Sequence, residues 1–133
     1  MFDEELSSCQ DWDMWLRIAK DFEFDFVPDV LTRIFVHGQQ ISTNFAALIP
    51  GRTRMVEKHW DEFKEHSEIL VIHLKRLGKL HCLNGTWSQA PQWFAKAVEI
   101  RPIEIVKIAA WCLVELPFLK LFSNSRKFKR HAQ

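Results

Sequence analysis

The chain has 133 residues, enough for one domain or for a small module joined to part of another. Its 47% hydrophobic content excludes a disordered chain, and a formal net charge of +1 gives no overall attraction to nucleic acid. Charge is polarised instead: residues 1–30 hold nine acids against Arg17 and Lys20, while no acid follows Glu115 and Lys120, Arg126, Lys127, Lys129 and Arg130 make the other end basic. Cys9, Cys82 and Cys112 are odd in number, widely spaced and in no CxxC pair, so they read as reduced thiols. With no signal-peptide pattern after Met1, a cytoplasmic location is expected.

In chain order, Asp11–Asp21 reads as a helix. Trp12, Trp15, Leu16 and Ala19 form its apolar face, Asp13, Arg17 and Lys20 point elsewhere, and Asp11 stands in the capping position. Glu23–Val27 alternates and is rich in Phe, Pro28-Asp29 signals a turn, and Leu31–His37 is a second extended run, which together predict a short β-hairpin ended by Gly38. Helical character begins near Asn44. Pro50-Gly51 is read as a break, followed by helices over Arg52–His66 and Glu68–Leu83 and a turn at Asn84-Gly85. Two more helices follow, Ser88–Ile100, capped by Ser88 with Pro91 in its first turn, and Ile103–Glu115, stopped near Pro117.

Phe2-Asp3-Glu4-Glu5-Leu6, then Gln10-Asp11-Trp12-Asp13-Met14-Trp15-Leu16-Arg17-Ile18-Ala19, closely resembles the acceptor-side region of inverting, nucleotide-diphospho-sugar glycosyltransferases of the family-2 type, which have the GT-A fold. The likeness continues through Phe26–Leu31 to Arg33-Ile34-Phe35-Val36-His37-Gly38 and Ile41-Ser42, about the first third of the chain. The resemblance implies that Asp11 is the base that removes a proton from the attacking acceptor hydroxyl. It places Gln10, Trp12 and Asp13 beside the acceptor, and Gln10 stands where the family carries glutamate. It sets Arg33 and His37 on the diphosphate side, His37 near a divalent metal, Mn or Mg, that the complete enzyme would carry.

The family's strand-borne D-x-D motif does not precede residue 11. The chain is therefore expected to be a fragment of the transferase, inactive alone and without a metal of its own. Nucleotide-sugar and acceptor would bind only with the missing half.

Further on, Leu74-x-x-Leu77-Gly78-x-x-His81, then Ala90-x-x-x-Phe94, Ala97 and Pro102, resembles one tetratricopeptide repeat, over about Val71–Glu104. Small residues at Gly78, Ala90 and Ala97 would let two antiparallel helices approach, with Phe94 filling the gap. Such a segment either packs on the transferase domain or offers a groove for a protein partner or for self-association.

Other clusters read as structural. His59, His66 and His73 recur every seven residues, too far apart along one helix for one ion, and read as a helix stripe. Trp87 and Trp93 with Asn84, Gln89 and Gln92 read as a helix-junction plug before a sugar platform. Ile103–Phe122 is interrupted by Glu104, Lys107, Glu115 and Pro117, which argues against a spanning helix. It reads as a buried closing helix, with peripheral attachment to a membrane surface as the alternative.

The resulting expectation is a mainly α protein with a short N-terminal β-hairpin beside one helix, then an antiparallel, tetratricopeptide-like helical array. Residues 1–43 would be the C-terminal edge of a catalytic domain, 44–122 the helical extension and 123–133 a basic flexible tail. The competing functional class is a non-catalytic helical-repeat interaction module.

Overall fold

A computed structural model of the chain describes residues 2–35 and 44–130, with side chains as far as residue 117 in the last helix. Six α-helices account for most of it: α1 (Gln10–Ile18), α2 (Phe45–Lys58), α3 (Trp60–Glu65), α4 (Ser67–Asn84), α5 (Ala90–Ile100) and α6 (Glu104–Arg130). The mainly α expectation holds. The chain divides into two compact units, Met1–Trp60 and Asp61–Gln133.

In the first unit α1 packs on α2. Asn44 caps α2, its side-chain oxygen accepting from the Ala47 N–H at 3.3 Å. Pro50-Gly51 does not break this helix but lies inside it. Pro50 has no N–H to donate back along the helix, and the carbonyls nearby are bonded from outside. The Ser7 hydroxyl donates to the Ala47 carbonyl at 3.0 Å, and the Ser8 hydroxyl lies 3.3 Å from the same oxygen and 3.4 Å from that of Leu48. Gly51 makes this approach possible, since a Cβ there would fall 2.6 Å from both the backbone N and O of Ser8.

The expected hairpin is absent, since no strand occurs among the described residues. Every residue from Asp21 to Phe35 is exposed, among them Phe22, Phe24, Phe26, Val30, Ile34 and Phe35. The alternating pattern is real, but it describes strands that are half-buried in a sheet, and two short strands alone are marginal in water. The end of the second run, Val36 and His37, lies outside the described residues.

In the second unit α4 and α5 form a helical hairpin. Asn84-Gly85 is the predicted turn: Gly85 is left-handed (φ 82°), and the Thr86 N–H bonds back to the His81 carbonyl at 3.0 Å. Leu70, Leu74 and Leu77 of α4 and Ala90, Trp93 and Ala97 of α5 are buried. A Cβ on Gly78 would lie 2.5 Å from the Phe94 ring, so glycine is what allows that ring its seat. Trp111 of α6 closes this core with Cys82 and Ala90, and Phe94 packs against the cluster.

Three sequence expectations need correction here. Ser88 does not cap α5; it lies in a 3-10 turn, Trp87–Gln89, ahead of it. Pro117 does not stop the last helix, because α6 runs through it to Arg130, so residues 123–130 are helical. The histidine stripe does not exist: α2, α3 and α4 are separate helices. Of its members, His59 is buried in the first unit, His66 is exposed at the start of α4, and His73 packs on Phe63 with ring centroids 4.8 Å apart.

Candidate functional site

The chain enters α1 through a strained residue. Cys9 sits in the left-handed region at φ 66°, the one non-glycine residue to do so among those described, and it makes no side-chain cap. Non-glycine residues adopt this conformation only when their surroundings enforce it. Here the enforcing contacts are on both sides. Upstream, Lys58 reaches Asp3 at 2.7 Å, Arg54 pairs with Glu5, and the two serines bond to α2. Downstream, Gln10 donates from Nε2 to the Leu6 carbonyl at 2.7 Å, and the Asp13 N–H meets the Cys9 carbonyl at 3.0 Å.

This geometry moves the helix start to Gln10, so Asp11 is not the cap but the second residue of the first turn. Its side chain is exposed, and the positive end of the helix dipole favours a carboxylate there. Asp11, Gln10, Leu6, Glu4, Asp3 and Phe2 line an open concavity of about 470 Å³.

The face of α1 that is buried is not the one expected. Trp12 and Trp15 are 45% and 52% exposed, whereas Asp13 is fully buried. Its Oδ1 accepts from Lys58 Nζ at 2.8 Å and lies 2.9 Å from His59 Nε2, and its Oδ2 accepts from Arg17 Nε at 3.1 Å. Burial pushes the Asp13 carboxyl up, but the hydrogen bonds from Lys58, His59 and Arg17 outweigh it and bring it down from 3.8 to about 2. The Lys58 ammonium is raised in turn, first by its bond to Asp13 and then by that to Asp3. Asp13 is therefore a permanent anion tying the first helix to the end of the second.

Of the residues singled out in the sequence, Gln10, Asp11, Trp12 and Asp13 share α1, with Asp11 facing out and Asp13 facing in. Arg33 lies in the exposed segment after α1, which has no regular secondary structure, and His37 lies outside the described residues. Among the described residues no three His, Cys, Asp or Glu side chains are placed to hold a metal ion. Missed altogether was the set Asp13, Lys58, His59 and Arg17. Its one local trace is the Asp13–Arg17 spacing of four, an ion pair along a helix that as readily marks a solvated face.

Comparison with family models, with curated proteins and with solved structures finds no match to this chain.

Proposed function

We propose that the chain is the acceptor-side edge of an inverting, nucleotide-sugar-dependent glycosyltransferase, with Asp11 as the catalytic base. The observation that carries the reading is the division of labour on α1. Asp11 lines an open concavity while Asp13, two residues on, is buried and held by three cationic or hydrogen-bonding partners. A base in a one-step displacement must be held in place as the acceptor hydroxyl attacks the anomeric carbon, opposite the departing nucleoside diphosphate. The bond from hydroxyl oxygen to carbon forms, the bond to diphosphate breaks, and the proton passes to the Asp11 carboxylate.

The exposed segment from Phe22 to Phe35 supports the same reading. Alternating apolar residues left uncovered are what strands of a larger sheet would look like without their neighbours. In this reading Arg33 and His37 belong to the diphosphate side of the donor, with His37 near any Mn or Mg ion. Gln10 donates its amide to the Leu6 carbonyl and so fixes the loop that leads into α1.

The test is transfer of labelled sugar from a panel of nucleotide sugars by the natural gene product, with whatever sequence flanks these residues. Measurable transfer is expected. A gene product that transfers nothing, yet associates through α4 and α5, would favour the second reading, a helical interaction module, whose support is the close seat of Phe94 on Gly78.

A further inference from the structure

The last helix was read from sequence as a buried closing helix, and only one side of it is. Trp111 and Glu104 are buried, Glu104 between Lys75 of α4 and Lys107, and Cys112 and Leu116 pack on the same core. The other side is open. Val106 is 62%, Leu113 78% and Val114 61% exposed, and Ala109, Ala110 and Pro117 are exposed with them. At the helical period Val106, Ala109, Ala110, Leu113 and Pro117 form one stripe, and Glu104, Lys107 and Glu115, the charged residues of this stretch, all fall on the Trp111 side. An outward face with no charge along about three turns is not how a helix meets water.

We propose that α6 lies in the interface of an anionic lipid bilayer, with the Val106–Ala110–Leu113–Pro117 stripe inserted among the acyl chains. Charge selects this occupant. Past Glu115 the sequence carries Lys120, Arg126, Lys127, Lys129 and Arg130 and no acid, and α6 continues as far as Arg130. A second copy of the chain would bring the same cations to the contact and no acid on the stripe to meet them. An anionic surface attracts this end of the helix, and each cation that comes near such a surface strengthens association about fivefold. No helix among the described residues is long and apolar enough to cross a membrane, so the attachment is to one face of it. The proposal stands independently of the transferase reading.

The experiment is co-sedimentation of the whole chain with phosphatidylcholine vesicles, with and without phosphatidylserine, at low and high salt. Partitioning onto the anionic vesicles should exceed that onto neutral ones by about tenfold or more and fall steeply with salt. Leu113→Asp should remove it while leaving the circular dichroism unchanged, because that residue is exposed and lies outside the core. Should Leu113→Asp fail to fold, Lys127→Gln with Lys129→Gln is the second variant, and it should weaken anionic binding by about 25-fold. Equal partitioning onto both vesicles, none onto either, or binding that Leu113→Asp leaves intact overturns the proposal. So does a lipid-free dimer that Leu113→Asp dissociates, which would assign the stripe to a second copy.

Discussion

Replacing Asp13 by Asn keeps the shape of the side chain and removes its charge. In the native first unit the carboxyl titrates at about 2 and not at its ordinary 3.8. The folded state therefore prefers the ionised over the neutral form by about 2 kcal/mol, and a neutral amide forfeits that preference. The amide nitrogen would also face a donor, either Lys58 and His59 or Arg17, adding a loss of roughly 1 kcal/mol or more. A total near 3 kcal/mol would lower the melting temperature of a unit this size by roughly 10–25 °C. Urea denaturation, with hydrogen exchange to assign the loss to residues 1–60, measures it. Asp11→Asn makes the same charge change two residues away on an exposed side chain and should stay within about 0.5 kcal/mol. The stabilisation from Asp13 is complete above pH 4 and is lost as pH falls through 2, so the gap between wild type and Asp13→Asn should narrow on acidification. Equal effects of Asp11→Asn and Asp13→Asn at pH 7, or a gap unchanged at pH 2, would refute the reasoning.

In the second unit Glu104 is held down from 4.5 to about 2, first by Lys107 and then by Lys75, so Glu104→Gln should cost about 3 kcal/mol at neutral pH, an advantage lost between pH 4.5 and 2 and readable as an acid midpoint that the substitution shifts. Gly78→Ala should destabilise the α4–α5 hairpin by roughly 1–3 kcal/mol despite the better helix propensity of alanine, because its Cβ would strike the Phe94 ring; an unchanged urea midpoint would mean the ring can move aside. Gly51→Ala should be at least as costly, since the atoms in the way belong to the Ser8 backbone, and its effect should map to residues 1–60 by hydrogen exchange.

What could be read from the sequence followed the range of the interactions responsible. The α4–α5 hairpin was legible because its determinants are close together: the Gly85 turn, small residues at Gly78, Ala90 and Ala97, and leucines at helical spacing. The strands read over Glu23–Val27 and Leu31–His37 do not form among the described residues, because a strand is stable only beside a partner strand, which local alternation cannot supply. Pro50-Gly51 misled for a related reason. Dipeptides of that kind usually end helices, but here Ser7 and Ser8 of the N-terminal segment bond to the Ala47 and Leu48 carbonyls beside Pro50, an approach that the missing Cβ of Gly51 allows. The buried Asp13 was invisible because its partner His59 comes from 46 residues away, and a charged residue on a helix is by default read as facing water. The apolar period located α1, but Asp11 is not its cap, since the left-handed Cys9 starts the helix at Gln10.

The central claim concerns one carboxylate, and kinetics of the natural gene product with Asp11→Asn test it most directly. A base acts as the acceptor proton leaves, so its removal should lower kcat by about 100-fold or more while the donor KM stays near that of wild type. Circular dichroism and the urea midpoint should not move, in contrast to Asp13→Asn. A variant that turns over at near the wild-type rate would contradict the account and leave Asp11 an acid in the first turn of a helix.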